Sequence, residues 1–118
     1  MHYLLKFFSL FSLVLFFATS ASSETISPHD ASQYVGRNVT VDGVVRQVSS
    51  SRGGTTFINF GGRYPNHVFY AVIFKKYANR FSNVRAYEGR HVAISGEIGL
   101  YKGKPQIILS SPSQIQMK

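Results

Sequence analysis

The sequence predicts an all-β domain of five strands, with a short helical segment between the third and the fourth. Segments rich in Val, Ile, Phe and Tyr alternate with clusters of Gly, Pro, Ser and Asn, and β-branched and aromatic side chains favour strands. Two segments, 36–45 and 89–98, share the pattern Gly-Arg-x-Val-x-(Val/Ile)-x-Gly-x-(Val/Ile). The chain of 118 residues contains no cysteine, so an apolar core must stabilise the domain without disulfides.

The N-terminus has the pattern of a secretory signal peptide. Lys6 precedes an apolar run over 7–18, and small residues follow up to position 23. The run is shorter than the ~20 residues of a membrane-spanning helix, which favours a removable leader over the alternative, an uncleaved N-terminal anchor. Cleavage after Ser20 and cleavage after Ala21 both fit. We therefore expect a signal peptide over 1–21, a domain over 22–118, and a periplasmic or secreted protein without a membrane span.

The predicted elements follow one another without a long linker. A short helical turn begins at Ser27-Pro28 and ends at Gly36, because Ser suits an N-cap, Pro the first helical position and Gly a helix end. In the segment 75–87, apolar residues recur at three- and four-residue steps, which predicts a short or broken helix. The five strands are predicted over residues 38–48, 55–60, 68–74, 91–100 and 104–109.

Two glycines interrupt the first and the fourth predicted strands. Gly43 and Gly96 occupy equivalent positions of the shared pattern, on the face that carries the Val and Ile side chains. A glycine inside a strand typically marks a bulge or a bend, and a small barrel needs bends because its strands must coil to close. Convergence of two Val-rich strands is the alternative explanation. We expect the two similar strands to lie side by side in a five-stranded Greek-key barrel.

The predicted order of strands and helix is that of the OB fold, a five-stranded barrel. The chain resembles the small bacterial OB-fold domains of the nucleic-acid-binding type. This resemblance rests on the two similar segments, on Tyr101-Lys102-Gly103-Lys104-Pro105-Gln106-Ile107-Ile108-Leu109, and on Pro112-Ser113-Gln114-Ile115. It implies an OB-fold domain over nearly the whole mature chain and nucleic-acid binding as the commonest role. The resemblance implies no catalytic residue.

The charge balance is consistent with a polyanionic partner. Removing Lys6 with the leader reduces the 13 Lys and Arg residues to 12, which exceed the 5 Asp and Glu residues by seven. Such an excess favours nucleic acid, anionic lipid or acidic glycan, while a basic surface that only keeps the protein soluble is the alternative. Arg37 and Arg90 follow the glycines that precede two strands, so a structural salt bridge or a solvated edge is the favoured interpretation for both.

The candidate nucleic-acid-binding residues follow from where OB barrels bind ligands. They use the face of the second and third strands, framed by the loops that join strands one to two and four to five. Phosphates attract cations, and unpaired bases stack on aromatic rings for about 1–3 kcal/mol each. At these features the sequence places basic, amide and aromatic side chains, namely Arg46, Arg52, Asn59, Arg63, Tyr64, Tyr70, Tyr101, Lys102 and Lys104.

Core packing is the competing interpretation for several of the rings. Phe57, Phe60 and Tyr70 lie in predicted strands, and a small barrel must fill its interior, so core packing is favoured for each of them. Tyr64 and Tyr101 are stronger candidates for binding, because they lie in predicted loops beside Arg63 and Lys102.

Catalysis, metals and cofactors are not predicted. No pair of predicted strand positions brings two carboxylates together, as a glycosidase or a two-metal site requires. The histidines lack metal-ligand spacing, so we interpret His29, His67 and His91 as surface or turn residues. We expect a non-enzymatic module that binds single-stranded nucleic acid, which the charge and the resemblance favour. The alternative, which the expected compartment favours, is an exported interaction or envelope protein that binds a protein, a glycan or an anionic surface.

Overall fold

Strands dominate residues 24–118, which are the part of the chain that the computed structural model describes. The strands are β1 (Glu24–Ile26), β2 (Asn38–Ser50), β3 (Thr56–Phe60), β4 (Phe69–Ile73), β5 (His91–Glu97), β6 (Gly99–Tyr101), β7 (Lys104–Ile108) and β8 (Ile115–Met117). Short 3-10 helices span Pro28–Tyr34, Lys75–Arg80, Val84–Tyr87 and Pro112–Gln114. The predicted all-β class is therefore confirmed. The predicted signal peptide and its cleavage site lie outside the described residues.

The predicted elements recur with three changes. The short strands β1 and β8 were not among the five predicted strands. The strand predicted over 91–100 is divided into β5 and β6, which are separated by the buried residue Ile98. The segment 75–87 forms two 3-10 helices instead of one continuous helix, because Phe81 is extended and Asn83 adopts a left-handed backbone conformation with φ 54°. Within residues 24–118, no helix is long and apolar enough to cross a membrane.

The strand pairing is consistent with an OB-like fold. The strand order is β6-β7-β4-β3-β2-β5-β8, with β1 parallel to β2. The neighbours pair antiparallel except β4 and β7, which are parallel. Because β5 and β6 are almost consecutive in the chain, the segment 91–101 contacts β2 through one half and β7 through the other.

The two strands with the shared pattern lie side by side, as expected. β2 pairs antiparallel with β5, so that Gly43 faces Val92 and Val39 faces Gly96. A Cβ atom added at Gly43 would lie 2.6 Å from Cγ of Pro28, and one added at Gly96 would lie 2.7 Å from Cγ2 of Ile107. Both glycines therefore permit close packing that an alanine would obstruct. The irregularity in the β2–β3 pairing occurs two to four residues further along, between Val45 and Gln47.

The core lies on the Val and Ile faces of these strands. Val39, Val41 and Val45 of β2 are fully buried, as their alternation predicts. Phe60 and Phe69 pack with ring centroids 5.4 Å apart, so core packing is confirmed for Phe60. Each such side chain contributes about 1.5–3 kcal/mol through its burial, which explains how a chain without disulfides forms a stable domain.

Candidate functional site

A cavity of about 390 Å³ opens on the face of β3 and β4. We call it the aromatic groove, because five of its ten lining residues carry aromatic rings. It is lined by Ser49, Phe57, Asn59, Tyr64, Pro65, His67, Tyr70, Tyr101, Lys102 and Lys104. These residues come from β2, β3, β4, the 61–68 loop and the β6–β7 hairpin, so the groove exists only in the folded chain.

The rings of the groove form a connected series. The ring centroids of Phe57 and Tyr70 are 5.9 Å apart, and those of Tyr70 and His67 are 5.4 Å apart in an edge-on arrangement. The Tyr64 ring lies 5.8 Å from His67. Such spacings and tilts are favourable for aromatic pairs. Since Tyr64 is 72% exposed and Tyr101 is 56% exposed, both rings remain available to a ligand.

Gln47 connects β2 to the two sides of the groove. Its Oε1 atom accepts a hydrogen bond from Nδ2 of Asn59 (3.0 Å) and another from the backbone N–H of Tyr64 (2.8 Å). The first bond orients the Asn59 amide on β3, and the second fixes the start of the loop segment that carries Tyr64. One amide oxygen therefore positions two residues of the groove wall.

Lys104 connects the β6–β7 hairpin to the 61–68 loop. Its Nζ donates hydrogen bonds to the backbone oxygens of Pro65 (3.0 Å) and His67 (2.5 Å). These bonds hold the loop against the hairpin, so Lys104 has a structural function in addition to its charge. Lys102 is exposed, and its Nζ lies 5.4 Å from the centroid of the Tyr101 ring. Lys102 is thus the cation at the rim that is most accessible to a ligand.

Two buried polar residues in the groove wall each leave one atom without a partner. Asn59 is 2% exposed and His67 is 5% exposed, and neither Oδ1 of Asn59 nor Nδ1 of His67 has a hydrogen-bond partner among the described residues. Such atoms cost free energy in a folded protein. Burial lowers the pKa of His67 below its ordinary value of 6.5, and the positive charge of Lys104 lowers this pKa further. His67 is therefore neutral at pH 7.

The structure brings together six of the nine candidate residues, namely Asn59, Tyr64, Tyr70, Tyr101, Lys102 and Lys104. Arg46, Arg52 and Arg63 are exposed and do not line the groove. Tyr70 is only 6% exposed, so it forms the wall of the groove and lies partly in the interior. Burial raises the pKa of Tyr70, and a nearby Tyr101 raises it further. Phe57, for which core packing was favoured, is half-buried in the groove.

The sequence interpretation missed His67 and Gln47. His67 lies in the 61–68 loop, but a surface position is wrong for it, because the ring is buried between Tyr64 and Tyr70. Its backbone oxygen accepts a hydrogen bond from Lys104, which lies 37 residues further along the chain, and no local pattern reveals such a contact. Gln47 lies within a predicted strand, and its position depends on the irregularity in the β2–β3 pairing between Val45 and Gln47, for which the sequence shows no signal.

The other polar clusters of residues 24–118 lie outside the groove. Arg37 pairs with Glu24 (3.1 Å) at an exposed position, so of the two roles expected for Arg37 the structure shows the salt bridge. Asp42 contacts His91 through Oδ1 and Lys118 through Oδ2, and the hydrogen bond from His91 is the main reason for the lowered pKa of Asp42. No group of three or more His, Cys, Asp or Glu residues in this part of the chain could hold a metal ion.

Comparison with known proteins supports the fold alone. No protein-family model matches the chain, and no curated protein matches it. Among solved structures, the chain is similar to a putative aspartyl-tRNA synthetase from Leishmania major Friedlin, with a TM-score of 0.55 and 11% sequence identity. The similarity covers 90% of this chain and 22% of that chain, so this chain spans about a fifth of the synthetase.

Proposed function

We propose that the protein is a non-enzymatic binding module that holds single-stranded nucleic acid in the aromatic groove. The observation that carries this proposal is a pair of exposed rings, Tyr64 and Tyr101, in a groove with a cation at its rim. The Tyr64 ring packs on His67, and the buried rings of His67 and Tyr70 belong to the groove wall. Unpaired bases stack on exposed rings whatever their sequence, for about 1–3 kcal/mol per base. A duplex hides the faces of its bases, so the proposal favours single strands.

The fold proposed for this function is a five-stranded OB barrel. In this proposal β2, β3, β4, the segment 91–101 and β7 are the barrel strands, and β5 and β6 form one bent strand that closes it. The groove then lies on the face of the second and third barrel strands, beside the hairpin between the fourth and fifth. This is the surface with which OB folds bind oligonucleotides and oligosaccharides.

The charges of the groove support an anionic ligand. Among residues 24–118 no carboxylate lines the groove, while Lys102 and Lys104 both do. A phosphate beside Tyr101 would meet the Lys102 ammonium, and cations beside aromatic rings are typical of proteins that bind single strands. The absence of a carboxylate also supports a binding function over a hydrolytic one, because the groove then lacks the paired acids of glycosidases. We further propose that the protein is exported.

The second candidate function is an interaction or envelope protein. The observation that favours it is a second cavity, of about 300 Å³, which is lined by Glu97, Gly99, Gln106 and Ile108. Ile108 is 43% exposed there, and an apolar side chain with polar neighbours suits a protein–protein contact. None of these four residues lines the aromatic groove, so variants can distinguish the two functions.

A titration of labelled oligo-dT by fluorescence anisotropy, repeated across a salt series and with a duplex of equal length, tests the proposed function. We expect single-strand binding that weakens with salt, because bound phosphates release counterions. Tyr101→Ala should weaken binding about 5- to 150-fold, which corresponds to the stacking energy of one base, about 1–3 kcal/mol. Leu100→Ala is the matched control, since it removes a neighbouring exposed side chain that does not line the groove. A folded protein that binds no oligo-dT at low salt would refute the proposed function.

A further inference from the structure

A second basic surface adjoins the aromatic groove without contributing to its wall. We call this surface the basic band. All of its side chains are exposed and positively charged, and they come from the end of β2, from the loop after it, and from the segment 75–90. The basic band consists of Arg46, Arg52, Lys75, Lys76, Arg80, Arg85 and Arg90.

Backbone and side-chain contacts make the basic band one surface. A Cβ atom added at Gly54 would lie 3.2 Å from the side chain of Lys75, so the loop that carries Arg52 packs on the start of the segment 75–90. Nη1 of Arg85 donates a hydrogen bond to the backbone oxygen of Val48 (3.0 Å). These two contacts join the 75–90 segment to both ends of the residue run 48–54.

The remaining members extend the band in both directions. The backbone N–H of Val45 donates to the backbone oxygen of Arg90 (2.9 Å), which places Arg90 beside the position of Arg46 in β2. At the other end, Lys76 and Arg80 lie over the Tyr77 ring, with the Lys76 Nζ at 5.0 Å and the Arg80 guanidinium at 4.9 Å from its centroid.

The charges of the basic band are not neutralised within the described part of the chain. None of its seven cations has a carboxylate within 4.0 Å among residues 24–118, where the Lys and Arg salt bridges are Arg37–Glu24 and Lys118–Asp42. The segment 75–90 contains one acidic residue, Glu88. Its Oε1 accepts a hydrogen bond from the backbone N–H of Val48 (2.7 Å), so this carboxylate serves the contact between the two segments. A dense excess of positive charge remains and would attract a polyanion.

The basic band and the aromatic groove meet at β2. Ser49 lines the groove and pairs with Phe57, while the preceding residue, Val48, accepts the hydrogen bond from Arg85 of the band. The loop with Arg52 begins directly after β2. A single-stranded nucleic acid that leaves the groove at Ser49 would therefore pass directly beside Arg85 of the band.

We propose that the basic band binds the phosphodiester backbone of the same single strand whose bases occupy the aromatic groove. This inference rests on the proposed function and extends it to a strand longer than the groove can hold. A cavity of about 390 Å³ has the size of a pocket for one small ligand, whereas OB folds cover about 4–16 nucleotides of a strand. The band supplies phosphate contacts, at a position continuous with the groove, for the nucleotides that lie outside it.

The experiment compares a short and a long oligo-dT with variants of equal charge. The short probe has about 3 nucleotides and the long probe about 15, below and within the site sizes of OB folds. The band variant is Arg52→Gln/Lys76→Gln, which removes two exposed cations without a side-chain hydrogen bond among the described residues. The control variant is Arg37→Glu, which lowers the net charge by the same two units outside the band. Arg37 precedes the Asn38–Glu97 end of the β2–β5 pairing, whereas Arg46 and Arg90 lie at its other end, beside Val44 and His91. Circular dichroism checks that each variant is folded.

We expect the band variant to bind the long probe about tenfold more weakly at moderate salt and to reduce the slope of log K against log salt by about 1.4, since each lost contact to a single-strand phosphate contributes about 0.7. The short probe should bind the band variant and the wild type within a factor of two. The control variant should bind both probes like the wild type.

Three results would overturn the inference while the proposed function stands. The first is an equal loss of affinity of the band variant for the short and the long probe. The second is an equal loss of affinity for the long probe in the band and control variants. The third is an unchanged affinity of the band variant for the long probe. Vesicles of anionic phospholipid test the other class of partner. If the band variant loses vesicle binding but retains the long probe, the band serves a membrane surface and the inference is wrong. If the wild type binds neither probe, the proposed function itself fails.

Discussion

Replacing Gln47 with alanine should loosen the aromatic groove, although this residue does not line it. In the wild type, Oε1 of Gln47 accepts hydrogen bonds from Asn59 Nδ2 and from the Tyr64 backbone N–H. Alanine leaves the Asn59 amide, which is 2% exposed, without its acceptor. The exposed backbone N–H of Tyr64 can bind water instead, so losing its hydrogen bond to Gln47 costs little free energy.

The size of the destabilisation follows from the burial of the Asn59 amide. An unsatisfied buried donor costs about 1–3 kcal/mol, so we expect Gln47→Ala to lower the free energy of unfolding by about 2 kcal/mol. For a domain of this size, about 1 kcal/mol lowers Tm by about 4–8 °C, so the Tm of Gln47→Ala should fall by about 8–16 °C. If single strands bind in the groove, their affinity should fall as well, because Tyr64 is no longer fixed against the wall.

Thermal unfolding followed by circular dichroism, together with the oligo-dT titration below the melting range, measures both effects. Gln47→Glu is the matched variant, because a carboxylate oxygen can accept the same two hydrogen bonds with nearly the same shape. Its Tm should lie closer to the wild type than that of Gln47→Ala. Equal Tm values for Gln47→Ala and the wild type would refute this account of the groove. Equal losses in the two variants would show that the accepted hydrogen bonds are not the cause.

Two further changes test the close packing and the buried histidine. Gly43→Ala should destabilise the protein by about 1–3 kcal/mol in denaturant unfolding, since its Cβ would lie 2.6 Å from the Pro28 ring, and an unchanged midpoint would contradict the observed packing. Folding lowers the pKa of His67 below the ordinary histidine value of 6.5, so around and below pH 6.5 the unfolded chain binds more protons than the folded protein. The stability due to neutral His67 should therefore be lost as the pH falls through 6.5. Between about pH 7 and about pH 5 the free energy of unfolding should fall less for His67→Phe than for the wild type, and equal decreases would exclude His67 as the cause.

The strands and their adjacency could be predicted because their signals are local or repeated. The alternation of Val39, Val41 and Val45 identifies the buried face of β2, since successive side chains of a strand point to opposite faces. The shared pattern with a central glycine predicted that β2 and β5 lie together, and they do. The division between β5 and β6 at Ile98 was not predictable, because the apolar pattern continues through that residue.

The aromatic groove was predictable only in part, because its residues meet through contacts between distant segments. Tyr64 and Tyr101 could be selected as exposed rings, since each lies in or beside a turn and next to a basic residue. His67 and Asn59 could not be placed in the groove wall in this way, because their contacts to Lys104 and Gln47 join segments 37 and 12 residues apart.

The sequence by itself determined the all-β class, the alternating core face of β2, the pairing of the two glycine-containing strands, and the excess of positive charge. These properties depend on residue type and short-range spacing, which a strand or a turn expresses directly. Only the tertiary structure decided which rings share a groove, which lysine supports the loop, and which cations assemble into the basic band. The physical reason is that hydrogen bonds and packing between segments tens of residues apart set the positions of these rings and cations. The residue pattern within one segment does not show which distant side chains will contact it.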